Sequence, residues 1–157
     1  VLWVKMDSLA DGYWNLPERT EEVFENGWYC TNDMFVMNEK GMYEHQGRAD
    51  DMLKISGQWV SPAEIEEEVL SHPKVSEAAV VGIPDEDGLV RLALFLVAKI
   101  HDNDKHLFER DLQESIVEKL SVYKCPRQIY YLDAMPLTAT GKLQRFALRD
   151  RVLKEAP

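Results

Sequence analysis

At 157 residues the chain has room for one domain, or for one domain and part of another. Its 45% hydrophobic and 29% charged content is that of an ordinary globular protein, and no apolar run approaches the ~20 residues that span a bilayer, which excludes a membrane protein. A net charge of -10 opposes general attraction to nucleic acid, so an anionic ligand has to meet local groups of Lys and Arg.

Val1 to Met6 alternate like a strand, without the basic start, long apolar stretch and small-residue cleavage site of a signal peptide. With no initial Met, the chain is expected to be an excised or proteolysed piece whose upstream sequence is missing, a processed N-terminus being the alternative with the same look. Cys30 and Cys125 form neither a CxxC motif nor a disulfide framework, and a reducing cytoplasm is the expected compartment. A short helix is predicted over 17–25, with Pro17 in its first turn and Asn26-Gly27 ending it. Strands follow at 28–29, 34–37 and 42–46, the last two joined by the hairpin turn Asn38-Glu39-Lys40-Gly41. So few strands make a poor fold, and this opening portion is expected to complete a sheet supplied by other sequence.

A domain boundary is placed near Asp50, in a charged connector running from Gly47 to Asp51. A strand at 52–55 and a turn at Ser56-Gly57 lead to a helix that starts at Ser61-Pro62-Ala63-Glu64, where Ser61 and Glu64 suit a capping box. Apolar strands at 75–83 and 92–100 flank the acidic turn Pro84 to Gly88. Phe108, Leu112, Ile116 and Leu120 then recur at spacing four, the core stripe of a second helix. A strand at 128–132 and a helix at 143–154 close the chain, with Phe146, Ala147 and Leu153 expected to be buried. The acidic runs 18–25, 64–68 and 102–118 read as solvated helix faces. The order β, α, β, β, α, β, α implies a compact α+β domain over 50–157, a small mixed sheet flanked by helices, preceded by a strand-rich remnant over 1–49.

Three segments carry a resemblance. They are Trp28-Tyr29-Cys30-Thr31-Asn32-Asp33, then Gly47 to Gly57 with Ser61-Pro62-Ala63-Glu64-Ile65-Glu66, then Pro136-Leu137-Thr138-Ala139-Thr140-Gly141-Lys142-Leu143. In this order, with Gly-Tyr-Trp-Asn-Leu-Pro at 12–17, they resemble the adenylate-forming superfamily of acyl-CoA synthetases, luciferases and carrier-loading adenylation domains. The match spans essentially the whole chain and implies the C-terminal lid of such an enzyme after the end of its N-terminal domain. The stretch from Gly47 to Pro62 is similar to that of benzoate-CoA ligases and related aryl-acid ligases.

The resemblance implies a role for each matching residue. Asp33 matches the aspartate that holds the ATP ribose, a task for which a carboxylate can accept from both hydroxyls. The family usually has Gly before it; Asn32 stands here, and Asn also tolerates unusual backbone angles. Arg48 matches a second ribose-side contact, although a lone loop Arg is otherwise a surface charge. Asp50 matches the hinge about which the lid swings, and without the family it is a polar loop residue.

Lys142 matches the lysine essential for adenylation. When a carboxylate attacks the α-phosphate both reactants are anionic, and a placed ammonium offsets the repulsion and stabilises the transition state. Gly141 would let the backbone approach the nucleotide; the spacing is not that of a Walker loop. Lys54, Ser56 and Gly57 match the strand and turn brought to the active site beside the pantetheine channel after the swing, although Lys54 also suits a snorkelling strand-end lysine. Tyr123 resembles the aromatic that stacks the CoA adenine, with Lys124 and Arg127 matching basic groups that meet its phosphates. Cys125 departs from that pattern, since some relatives place a basic residue there.

Neither cysteine has a paired His that argues for a nucleophile. His45, His72, His101 and His106 show no metal-ligand spacing, so magnesium is expected to arrive with ATP. Lys142, Arg145, Arg149, Arg151 and Lys154 read as a phosphate patch or as charges favoured near a helix C-terminus. The function implied is activation of a carboxylic acid with ATP and transfer of its acyl group to coenzyme A, without nucleic acid or membrane. A carrier-protein-loading domain and a noncatalytic nucleotide- or CoA-binding module are the alternatives. The acyl pocket and phosphate loop of the family lie in its larger N-terminal domain, so the isolated chain is expected to be inert for adenylation.

Overall fold

A computed structural model describes residues 1–100 and 104–155. They form two compact units, Val1–Met52 and Leu53–Pro157. Among the described residues no helix is long and apolar enough to cross a membrane.

The first unit is built from small antiparallel pairings. Strand β1 (Trp3–Val4) and helix α1 (Pro17–Val23) precede β2 (Phe24–Glu25) and β3 (Trp28–Cys30), which order as β1-β3-β2. The helix predicted to reach residue 25 stops at Val23, and Phe24 and Glu25 turn into a strand. Asn26 and Gly27 explain this: with φ of 51° and 77° they form a two-residue hairpin turn, which needs positive φ at both positions. Strands β4 (Asp33–Met37) and β5 (Tyr43–Arg48) make a second hairpin around Asn38, whose side-chain oxygen accepts from the Lys40 and Met42 amides. Gly47 and Arg48, predicted to lie in a connector, are the last two residues of β5. The expected junction at Asp50 falls in the 3-10 turn Ala49–Asp51.

The second unit opens with a hairpin, β6 (Leu53–Ile55) and β7 (Gln58–Val60), turned by Ser56 and Gly57 at φ of 49° and 84°. Helix α2 (Pro62–Leu70), strands β8 (Val75–Pro84) and β9 (Val90–Ala98), helix α3 (Lys105–Lys119), a 3-10 turn Val122–Lys124, strand β10 (Gln128–Tyr131) and helix α4 (Arg145–Glu155) follow. The sheet order is β10-β9-β8, with β9 parallel to β10 and antiparallel to β8, a small mixed sheet as expected. Asp85 shapes the β8–β9 turn, its carboxylate accepting from the Asp87 and Leu89 amides and from Arg91 Nε at 2.7 Å.

Central β9 is apolar on both faces because both are covered. Leu92, Leu94 and Leu96 join Val80, Ile65, Val69, Phe108, Leu112 and Ile116 in a core under α2 and α3. Ala93 and Phe95 join Ala79, Val81, Met135, Leu148 and Val152 in a second core under α4. The spacing-four stripe of α3 is thus buried as predicted. The face of α4 is not: Phe146 and Leu153 are exposed, and Leu148 and Val152, one turn apart, point inward.

The acidic run of α2 also differs from expectation. At about 100° per residue, Ile65 and Val69 form the buried stripe, Glu64 and Glu68 flank it on one side, Glu66 flanks it on the other, and Glu67 lies opposite, in solvent. Glu64 accepts from Lys124 Nζ with both oxygens, at 2.7 and 2.6 Å, instead of reaching back to cap its own helix. Glu66 pairs with Arg145, and Glu68 accepts from Ser115 Oγ and Lys119 Nζ at 2.6 and 2.7 Å. These three carboxylates are struts to neighbouring segments, with side chains 34, 13 and 12% exposed respectively.

Burial pushes the Glu68 carboxyl up, but the bonds from Lys119 and Ser115 outweigh it and hold it below the usual carboxylate range. A depressed folded pKa contributes stability that is present above the unfolded value of about 4.3 and is lost as pH falls through the folded value. Unfolding followed from neutral pH into acid is therefore expected to show a steeper acid decline for the natural chain than for Glu68→Gln. Equal declines would remove Glu68 as a source of acid sensitivity.

Candidate functional site

In the first unit, the β4–β5 pairing places Asp33 directly across from Arg48. Arg48 Nη1 lies 3.8 Å from Asp33 Oδ1, and its Nη2 lies 3.3 Å from Asp50 Oδ2. His45 Nε2 is 3.9 Å from Asp33 Oδ1. Asn32 sits at φ of 60°, the left-handed conformation that its side chain tolerates and that the usual Gly would also supply. Its carbonyl accepts from the Ala49 amide, tying the turn before Asp33 to the start of the 3-10 turn. A hydrogen bond from Asn32 holds the Asp50 carboxyl below its usual range; burial opposes it, and Arg48 adds to the lowering. The structure thus brings together Asp33, Arg48 and Asp50, one cation between two carboxylates, with Asp33 one-third exposed.

In the second unit Lys54 is exposed on β6, opposite Trp59 of β7, with its Nζ 6.0 Å from the indole centroid. Trp59 is itself 64% exposed. Beyond the Ser56-Gly57 turn, a Cβ placed on Gly57 would meet nothing within 4 Å, so this glycine serves backbone conformation rather than close packing.

Tyr123 and Lys124 share the 3-10 turn after α3. The Tyr123 ring is partly exposed, and the Lys124 ammonium, 5.9 Å from it, belongs to Glu64. Arg127 is exposed, its amide bonded to the Leu92 carbonyl. Cys125 lies between them half-buried, and burial pushes its thiol up, which keeps it protonated.

Lys142 closes a lasso. Thr138 N–H donates to the Lys142 carbonyl at 2.8 Å, Lys142 N–H donates to Thr138 Oγ1 at 3.0 Å, and Gly141 N–H donates to the Thr138 carbonyl at 2.9 Å. A bridge between Leu137 and Leu143 and the bond from Gln144 N–H to the Pro136 carbonyl shut its base. Gly141 has φ of 80° with open space around it, so here too the demand is conformational. The backbone of Lys142 is therefore fixed while its side chain is exposed to solvent. An ammonium on a rigid stem can be delivered to an anionic group without first being withdrawn from a core.

Among the described residues no group of three His, Cys, Asp or Glu is placed to hold a metal ion. His45 and His106 are exposed; His72 packs edge-on against Phe108 and its Nδ1 accepts from the Lys74 amide; His101 lies outside the described residues. The struts Glu64–Lys124 and Glu66–Arg145 were missed in the sequence. Their signal was the position of the acids beside the Ile65 and Val69 stripe.

The chain is 48% identical over 147 residues to 3-hydroxybenzoate–CoA ligase of Aromatoleum sp. (strain CIB), covering 94% of this chain and 28% of that protein. It is 43% identical over 148 residues to benzoate–CoA ligase of Thauera aromatica, with the same coverage of 94% and 28%. The crystal structure of the anthranilate CoA ligase AuaEII in complex with anthranoyl-AMP matches with a TM-score of 0.90 at 37% identity, over 99% of this chain and 30% of that one. A benzoate CoA ligase from Burkholderia xenovorans LB400 matches with a TM-score of 0.82 at 39% identity, over 94% and 29%. The chain thus spans less than a third of the length of these relatives. The model of the AMP-binding enzyme C-terminal domain matches residues 64–142, half of the chain, and with the mixed sheet and the Lys142 loop this makes the chain a member of that family.

Proposed function

We propose that the chain is the C-terminal part of an ATP-dependent aryl-acid–CoA ligase. In the first half-reaction a carboxylate oxygen attacks the α-phosphorus of ATP, a P–O bond breaks, and pyrophosphate leaves. In the second the CoA sulfur attacks the acyl carbon of the adenylate and AMP leaves. The single observation that carries the reading is Lys142, exposed at the end of a hydrogen-bonded Thr-Ala-Thr-Gly-Lys lasso on a domain of this family.

Lys142 offsets the charge that gathers as two anions meet. Asp33 accepts from the ribose hydroxyls and Arg48, across the strand pair, supports it from the same side. Asp50 is the hinge, a role suited to an exposed residue in a one-turn 3-10 segment near the end of the first unit. Lys54 and the Ser56-Gly57 turn belong to the thioester-forming arrangement. Tyr123 stacks the CoA base and Arg127 meets its phosphates, while Lys124 reaches them in exchange for Glu64. Magnesium comes with ATP, and its ligands are expected outside this chain. Aryl acids are favoured because two relatives, 48% and 43% identical, are a 3-hydroxybenzoate–CoA ligase and a benzoate–CoA ligase.

The test compares this chain with the full-length enzyme in acid-dependent ATP–pyrophosphate exchange, offering benzoate and hydroxybenzoates. Exchange is expected in the full-length enzyme and not in the isolated chain; robust exchange by the chain alone would overturn the assignment of adenylation to two domains. Offered CoA and a carrier protein, the full-length enzyme is expected to acylate CoA, and acylation of the carrier alone would replace the ligase reading with a carrier-loading one.

A further inference from the structure

Arg145 begins α4 three residues after Lys142, at the point where the lasso closes. Its guanidinium is engaged by two different elements. Nη1 and Nη2 meet the two Glu66 oxygens, Nη2 at 3.0 Å, and Nη1 also donates to the Val80 carbonyl at 3.0 Å. Glu66 Oε1 accepts in turn from the Val80 amide at 2.7 Å. Val80 lies in the middle of β8, the sheet margin, so its outward amide and carbonyl would otherwise face away from the sheet without partners. One residue of β8, one of α2 and one of α4 are thereby locked in a closed ring of charge-assisted bonds. Both side chains are largely buried, Arg145 at 19% and Glu66 at 13% exposure.

The lasso is a rigid body within itself, since Thr138 bonds it internally and Pro136, Leu137, Leu143 and Gln144 shut its base. What aims it is whatever holds that base to the domain. On the incoming side this is Met135, buried in the core under α4; on the outgoing side Leu143 packs against the same core, and Arg145 adds the directional bonds. A planar guanidinium bound at two atoms to a carboxylate and at one to a backbone carbonyl fixes orientation as well as distance, which an apolar contact does not.

We propose that Arg145, through Glu66 and Val80, is a positioning residue for adenylation, setting the direction in which Lys142 presents its ammonium. The inference rests on the reading of Lys142 given above. It differs from general stabilisation in a measurable way. α2 carries a second strut of matched burial, Glu68 with Ser115 and Lys119, that holds α3 and has no bond to the lasso. Loss of either strut loosens the domain, but only loss of the Glu66 ring misdirects Lys142.

The experiment uses the full-length enzyme with Glu66→Gln, Arg145→Ala, Glu68→Gln and Lys142→Ala, each measured for melting temperature, for ATP–pyrophosphate exchange, and for thioester formation from preformed acyl-adenylate and CoA. Misplacing a charged group by about an ångström costs up to roughly a hundredfold. Glu66→Gln, nearly isosteric and still able to accept from Val80, and Arg145→Ala are each expected to lower exchange by about ten- to hundredfold while thioester formation stays within about twofold. Glu68→Gln is expected to leave both half-reactions within about twofold at a comparable fall in melting temperature. Exchange in the Glu66 and Arg145 variants as high as in Glu68→Gln, or equal loss of both half-reactions, would overturn the inference. If Lys142→Ala itself spares exchange, the reading of Lys142 fails and takes the inference with it; if Lys142→Ala lowers exchange and the Glu66 and Arg145 variants leave it at the level of Glu68→Gln, the inference fails alone.

Discussion

Lys142→Ala in the full-length enzyme is expected to lower ATP–pyrophosphate exchange by roughly 10²–10³-fold, the loss typical of removing one donor aimed at developing transition-state charge, and to leave the second half-reaction largely intact. The physical reason is the asymmetry of the two steps. Adenylation brings a carboxylate against a phosphate, so an ammonium acts on a repulsion that grows toward the transition state. Thioester formation from the adenylate begins with an acyl group whose charge has been masked by AMP, and it has far less need of that cation. Exposure of the Lys142 side chain, with its backbone bonded on both sides to Thr138, suits this division of labour. The measurement that decides is the ratio of the two half-reaction rates in one preparation, because unfolding would lower both; equal loss would remove the assigned role.

The second large effect is one of stability. Phe95 is fully buried in central β9, and its ring stacks on Tyr130 of neighbouring β10 with centroids 4.9 Å apart and planes 18° from parallel. It packs with Ala79, Val81, Leu148 and Val152 between the sheet and α4. Phe95→Ala removes that contact and leaves a cavity that well-packed neighbours fill poorly, a change worth about 3–5 kcal/mol. Against a typical stability of about 5–15 kcal/mol for a whole domain, this is enough to unfold much of the population at moderate temperature. Urea unfolding of this chain would record it as a drop in midpoint. A loss below about 1 kcal/mol would mean that the site collapses without a void, contrary to the packing described.

Sequence and structure agree where one physical signal dominates. Strands β8 and β9 were legible because a run buried on both faces has to be apolar throughout, and α3 because Phe108, Leu112 and Ile116 recur at spacing four on one face. Asn32 was legible because few residues accept its backbone angle. Strand β7 was missed because three residues, Gln58-Trp59-Val60, are too short for an alternation to show. The face of α4 was misjudged because Phe146, Ala147, Leu148, Val152 and Leu153 surround the helix, so hydrophobicity alone does not choose among them. Leu148 and Val152 are selected by core packing, with Arg145 turned to Glu66 at the start of the helix. The acids of α2 were misread for a related reason: a cluster of like charges normally seeks water, and their partners Lys124, Arg145 and Lys119 lie some 50 to 80 positions away in the sequence. The motif loops were found, while the struts behind them, made by distant pairs, were not.

The pairing of Glu66 and Arg145 with Val80 has a consequence unrelated to catalysis. The outer strand of a sheet is a template onto which another molecule's strand can zip, the first step toward polymerisation. In β8 the rung at the centre of that template is already occupied, by an anion on the amide and a cation on the carbonyl, so an intruding strand would have to evict a buried pair of charges to complete its ladder.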